Sequence, residues 1–278
     1  MKFTALIFFL SGVISSAQGG DSLTNSPEDA SSVVDDRIIQ GWPAVAGQFP
    51  HQVHLRTVTP TGSLNACGGS LITSSWVLTA AHCIVEKTQV FVRLGTLDVT
   101  FPGMLLEATD FFIHPKYNPT NLNNDLGLIN LGRVVPISAT IKPIRLPGLD
   151  AINRTYAGEV ATVSGWGRTG NTLPESETLN YVNVTIITNE VCLYYYIPMF
   201  IVNSTICSLG IQNNAQGTCN GDSGGPLVHY GSDGEPTLIG VVSFISSNGC
   251  DSGYASGYVR PQFFLDWIND SIANAKDL

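Results

Sequence analysis

The sequence predicts an all-β protein, a sandwich or barrel of many short strands, closed by a single helix at the C-terminal end. Three observations carry this expectation. Short apolar runs alternate with turn residues from about residue 38 almost to the end. Glycine (28 residues) and proline (15) are abundant alongside β-branched and aromatic residues, a mixture suited to strands and tight turns. Only one stretch has helical periodicity: after Pro261, the residues Phe263, Phe264, Trp267, Ile268 and Ile272 recur at helical spacing.

Taken in order, residues 1–17 read as a secretory signal. Lys2 supplies the positive start, residues 3–14 the apolar run, and Ser15, Ser16 and Ala17 the small residues of a cleavage site. The run is well short of the roughly 20 apolar residues that span a bilayer, and no later segment is long enough, so a secreted, extracellular protein without a membrane partner is expected. Residues 18–36 are rich in Ser, Asp, Glu and Asn, as in an exposed tether. At Arg37 the character changes abruptly to Ile38-Ile39-Gln40-Gly41-Trp42-Pro43. Candidate strands follow at 52–56, 69–72, 90–94, 126–131, 160–164, 179–185, 226–229 and 238–244. Residues 90–94 partly alternate apolar and polar, as a half-buried strand does, whereas 238–242 are uninterrupted and should lie deep.

Of the 278 residues 44% are hydrophobic and 13% charged, which suits a packed core and excludes a disordered chain. The net charge of −9 argues against nucleic acid, whose phosphates require a basic surface. Export changes how the six cysteines are read: Cys67, Cys83, Cys192, Cys207, Cys219 and Cys250 imply three disulfides, with fifteen possible pairings. Close CxxC or HxxxH pairs, which a metal site would need, are absent. Acceptor sequons at Asn153, Asn183, Asn203 and Asn269 are compatible with secretion and make these asparagines glycosylation candidates.

Three segments carry chemistry. Thr79-Ala80-Ala81-His82-Cys83 sets a histidine beside a cysteine, Asn124-Asp125-Leu126 a carboxylate at the start of an apolar run, and Gly221-Asp222-Ser223-Gly224-Gly225 a serine among glycines. A serine hydroxyl is a weak nucleophile until a base takes its proton, and histidine is the base best matched to neutral pH. The imidazole in turn needs a carboxylate to fix its tautomer and stabilise its charged form. Each segment alone also has a bland reading, a structural histidine, a turn aspartate or a glycine turn; the set of three in one exported chain is what is specific.

With these residues the chain resembles the chymotrypsin-like serine peptidases, and among them the invertebrate chymotrypsin-like and brachyurin-type enzymes. The resemblance runs from Ile38 to the C-terminal helix. It rests on RIIQG at 37–41, CGGSLI at 67–72, WVLTAAHC at 76–83, NDLGLINL at 124–131, SGWG at 164–167, GTCNGDSGGPL at 217–227 and VSF at 242–244. It implies two antiparallel six-stranded β-barrels, the first at about 38–147 and the second at about 148–260, with a C-terminal α-helix at about 261–275. By the same resemblance His82 is the general base, Asp125 its orienting partner, Ser223 the nucleophile, and the N–H groups of Gly221 and Ser223 the oxyanion hole. The implied disulfides are Cys67–Cys83, Cys192–Cys207 and Cys219–Cys250. Residues 18–37 become an activation segment: cutting between Arg37 and Ile38 creates an ammonium that pairs with buried Asp222.

The implied specificity pocket involves Gly217, Thr218, Ser243, Phe244, Ile245 and Ser256. Gly217 stands where trypsin-like members have an aspartate, so a substrate arginine or lysine would be buried unpaired. Ile245 stands where deep-pocketed members have glycine, which favours medium or small aliphatic side chains; a shifted loop at 246–249 would keep the pocket open for aromatic ones. An enzyme of this kind needs a trypsin-like activating protease. Thr96 replaces the glutamate of calcium-binding members, and no metal or cofactor is implied. Expected partners are protein and peptide substrates and proteinaceous inhibitors, and the expected state is a monomer. Two alternatives remain, a non-catalytic homologue that binds a partner and a regulatory rather than digestive protease. His51, His54, His114 and His229 read as strand or turn residues, and Tyr194-Tyr195-Tyr196 as a surface loop near the cleft.

Overall fold

A computed structural model describes residues 41–101, 103–212 and 214–275. The signal, the activation segment and the Arg37–Ile38 junction lie outside the described residues. The strands are β1 (Trp42–Pro43), β2 (Gln52–Val58), β3 (Leu64–Thr73), β4 (Trp76–Thr79), β5 (Gln89–Leu94), β6 (Met104–Ala108), β7 (Asp110–Ile113) and β8 (Gly127–Asn130). Then come β9 (Val160–Gly165), β10 (Asn180–Ile187), β11 (Thr205–Gly210), β12 (Pro226–Tyr230), β13 (Pro236–Phe244) and β14 (Ser256–Val259). Among the described residues three α-helices accompany them: α1 (Ala81–Ile84), α2 (Asn189–Cys192) and α3 (Leu265–Asn274).

The first sheet has the order β6-β5-β2-β3-β4-β8-β7, with antiparallel neighbours throughout. Its edges, β6 and β7, are separated in sequence by Thr109 alone, so one bent length of chain bounds the sheet on both sides. On β5 the pattern QVFVRL sends Val90, Val92 and Leu94 into the core and Gln89, Phe91 and Arg93 outward, as the two-residue pleat requires. The second sheet runs β10-β11-β14-β13-β12-β9 and closes where β9 pairs with β10, giving a six-stranded barrel. Its core includes Val163, Val182, Val184, Ile206, Leu227, Ile239 and Tyr258. The fold is therefore the all-β, two-sheet architecture expected, with a complete barrel in the second half and a curled sheet in the first. One partition changes: β1 pairs with β10 (Trp42 opposite Tyr181), so the opening residues add an edge to the second sheet instead of the first.

The helical pattern after Pro261 becomes a 3-10 turn, Pro261–Phe263, followed by α3. Ile268 is buried, and Phe264, Trp267 and Ile272 join the core of the first sheet. The His114 ring meets Phe264 and Trp267 edge-on, at 5.0 and 5.1 Å. The C-terminal helix thus docks on the opposite half of the molecule, with each fully buried apolar side chain contributing about 1.5–3 kcal/mol. The three disulfides are Cys67–Cys83, Cys192–Cys207 and Cys219–Cys250.

Candidate active site

His82 sits on α1, a single turn directly after β4. The next residue, Cys83, is tied to Cys67 on β3, which pins that turn against the first sheet. Asp125, fully buried, lies two residues before β8. One of its oxygens, Oδ1, accepts the backbone N–H of His82 at 2.9 Å, and Oδ2 lies 2.7 Å from His82 Nδ1. An Nδ1–H donated to this carboxylate leaves Nε2 as the proton acceptor of the neutral ring. Asp125 Oδ2 also accepts from Ser243 Oγ at 2.6 Å. Ser243 reaches it because the β13–β14 register shifts between Val242 and Phe244, leaving Ser243 as the extra residue of a bulge. Ser243 thus supports Asp125 with its hydroxyl and also lines the cleft that His82 and Ser223 share.

Ser223 lies in the loop entering β12. Its carbonyl accepts from Gly68 N at 2.7 Å, and Gly224 N donates to Val242 O at 2.7 Å, so both sheets hold this loop. Gly224 has φ +80°, and a Cβ there would lie 2.1 Å from Thr79 Oγ1 and 2.6 Å from the Gly68 carbonyl. No other residue fits. Gly221 also takes a positive φ, +99°. Among the described residues the N–H groups of Gly221 and Ser223 have no backbone acceptor, so they remain free to donate.

His82 and Ser223 line a common cleft of about 410 Å³, whose walls include Tyr117, Leu122, Phe244 and Ile245. Burial and the nearby Asp125 charge push the Tyr117 phenol up to about 12, so it stays neutral. On the other side of His82 and Ser223 a groove of about 340 Å³ carries Arg56, Lys87 and Glu175. Ile245 packs against the Cys219–Cys250 disulfide. Thr218 Oγ1 donates to Ser256 Oγ at 3.0 Å, and a Cβ on Gly217 would lie 2.9 Å from that same oxygen, so these three residues come together. They are buried and absent from the lining of the His82–Ser223 cleft. Asp251 accepts a hydrogen bond from Asn171 Nδ2, and Asn171 Oδ1 accepts from Cys250 N at 2.8 Å. In the loop of Tyr194, Tyr195 and Tyr196 the first side chain is exposed, whereas the Tyr196 hydroxyl donates to the Ala255 carbonyl and its ring meets Phe244 edge-on at 5.1 Å.

Asp222, next to Ser223, is completely buried. Its Oδ1 accepts from Gly167 N at 2.8 Å and its Oδ2 from Cys219 N at 2.9 Å. Desolvation outweighs these bonds and raises its pKa to about 7. Among the described residues the one cluster of potential metal ligands is Cys67, His82 and Cys83, and both sulfurs are already in a disulfide. Of the sequon asparagines, Asn153, Asn203 and Asn269 are exposed; Asn183 is half-buried on β10 and accepts from Thr162.

Comparison with known proteins adds independent findings. A family model described as Trypsin matches residues 38–268. The chain is 38% identical over 272 residues to a collagenase of Hypoderma lineatum, covering 98% of each protein. It is 36% identical over 235 residues to a brachyurin of Leptuca pugilator, covering 83% of this chain and 96% of that one. The solved structure of HL collagenase superposes with a TM-score of 0.78 at 38% identity, over 85% of this chain and 99% of that one.

Proposed function

This chain belongs to the trypsin family of serine endopeptidases, and we propose that it works through an acyl-enzyme on Ser223 after secretion and release from an inactive precursor. The observation that carries the site assignment is the double grip of Asp125 on His82, through backbone N–H and ring Nδ1, beside a cleft that Ser223 shares. Ser223 Oγ attacks the scissile carbonyl while His82 Nε2 takes its proton. The tetrahedral oxyanion accepts from the N–H groups of Gly221 and Ser223. His82 returns the proton to the leaving amine, and a water then repeats the sequence to free the acid. Asp125 holds the ring and stabilises its charged form throughout. The intact set disfavours a purely binding homologue.

Activation follows from Asp222. A carboxylate raised to about 7 by burial is costly to ionise at neutral pH. An ammonium created at Ile38 by cleavage after Arg37 would pair with it, lower its pKa and fix the neighbouring N–H groups of Gly221 and Ser223. Gly217 leaves the specificity pocket without a carboxylate for a basic side chain, and Ile245 narrows it, so the enzyme favours uncharged residues and depends on a trypsin-like activator. No helix among the described residues is long and apolar enough to cross a membrane. A secreted monomer in digestion, open to proteinaceous inhibitors, fits this reading.

The test is direct. Purified precursor incubated alone should stay inactive, whereas brief trypsin treatment followed by trypsin removal should release activity on peptides that vary only at the residue before the cut. The Ser223→Ala protein should lose that activity. Concentration-dependent self-processing after Arg37 would overturn the activation scheme, and undiminished cleavage by Ser223→Ala would overturn the site.

A further inference from the structure

Among the described residues no Asp, Glu, Lys or Arg lines the cleft that has Ile245 in its wall. The groove of about 340 Å³ on the other side of His82 and Ser223 has three such residues, Arg56, Lys87 and Glu175. Fixed charge next to the reacting pair is therefore confined to one side. A substrate whose residue before the cut occupies the Ile245 side leaves Ser223 along this charged groove.

Glu175 belongs to the loop between β9 and β10 and reaches the edge of the oxyanion-hole turn. A Cβ placed on Gly221 would lie 3.2 Å from Glu175 Cγ and 3.5 Å from its Cδ. Its Oε2 is 3.3 Å from Nη1 of Arg56, which extends from β2 in the other sheet. The two side chains keep 35% and 34% of their surface exposed, so the charged heads are within reach of a molecule in the groove. A guanidinium carries five N–H donors, and among the described residues Glu175 is the one partner of this one, so most of its donors are open to a second acceptor. Lys87, half-buried just after α1, takes part in no ion pair among the described residues.

Two cations against one anion give the groove a positive excess, in a chain whose net charge is −9. Glu175 offsets one of the cations and leaves the other uncompensated. A substrate ammonium entering here meets surplus positive charge, whereas a substrate carboxylate meets free donors. We propose, on the basis of the active site described above, that this groove selects an aspartate or glutamate within the first two residues after the cut. Arg56 and Lys87 are then specificity-determining residues for the leaving side, while the Ile245 side reads shape alone.

The test gives the activated, trypsin-free enzyme peptides that are identical except at the first or second residue after the cut, which is Glu, Gln or Lys. At one of these positions kcat/KM should rank Glu over Gln over Lys, with Glu ahead of Lys by about fivefold or more. The ratio should fall towards one at about 1 M salt, where the Debye length is about 3 Å. Lys87→Glu should invert the ranking and Arg56→Gln should lower the Glu-to-Lys ratio. Glu175→Gln should raise it, because the anion it removes repels a substrate carboxylate. A ratio taken within one variant does not depend on how much of that variant is active, so a poor yield does not obscure the result. Equal rates for the three peptides, a preference for Lys, or ratios unchanged in Lys87→Glu and Arg56→Gln would each overturn the inference while leaving cleavage by Ser223 in place. Absence of all cleavage would overturn the active site and the inference with it.

Discussion

At the scale of single residues, Asp125 shows how a buried charge is tolerated. It is removed from water entirely but accepts from His82 N, His82 Nδ1 and Ser243 Oγ, and hydrogen bonds to a charged group contribute about 1.5–3 kcal/mol each. The residues of the Asp125–His82 pair were legible in the sequence because each lies in a distinctive local segment. The bond from Ser243 to Asp125 was not, because the orientation of that side chain comes from a bulge between strands whose pairing no local pattern records. Ile245 belongs to this scale too. Its side chain rests on the Cys219–Cys250 bridge and lines the cleft of His82 and Ser223, where it is proposed to narrow the specificity pocket. Ile245→Gly should raise kcat/KM for a phenylalanine before the cut, relative to alanine, by about tenfold or more, the value of a few buried methylenes. A peptide series differing only at that residue measures it. An unchanged ratio would mean that Ile245 does not set the pocket width.

At the scale of elements, the long runs were legible and the short ones were not. Residues 52–56, 69–72, 90–94, 160–164, 226–229 and 238–244 all fall in strands, as apolar segments of sufficient length announce themselves. The run 126–131 overruns β8 by one residue at each end, and 179–185 overruns β10 by one residue at its start. β1, β4, β7 and β14 have two to four residues each, too few for a period to register. The helices α1 and α2 are single turns that depend on tertiary contacts. Loops carry the less legible part of the site. Asn171 joins the loop after β9 to the segment that carries the Cys219–Cys250 bridge, donating to Asp251 and accepting from Cys250 N. Asn171→Ala removes both bonds, each worth about 0.5–1.5 kcal/mol if neutral and more to a carboxylate. Activated Asn171→Ala enzyme should show KM raised about three- to tenfold with kcat nearly unchanged, and faster nicking between residues 168 and 178. Steady-state kinetics and peptide mapping read the two effects; an altered kcat at constant KM would place the defect at the reacting groups instead.

At the scale of the whole molecule, buried titratable groups shape the response to pH. Burial lowers His51 from 6.5 to about 4 and His54 to about 3. Both are neutral in the folded chain, so the stability they confer is full above pH 6.5 and lost as pH falls through 4 and 3. The effect is on the order of 3 kcal/mol per histidine. Asp222 works in the opposite direction: with its pKa raised from 3.8 to about 7, its share is full below pH 4 and lost as pH rises through 7. His51→Phe should therefore flatten the fall in melting temperature between pH 6.5 and 4, as calorimetry at several pH values would record. A slope identical to that of the parent would remove His51 from this account. The disulfides have a different large-scale effect. Each bridge stays within one half of the molecule, Cys67–Cys83 in the first and the other two in the second. The stretch from β8 to β9 that joins the halves exposes Val134, Ile137 and Leu149. These are aliphatic side chains of the kind the enzyme is proposed to cut after. One cleavage there would leave two fragments with no covalent link, His82 and Asp125 on one and Ser223 on the other, so the cut proposed to switch the chain on would have a counterpart that retires it.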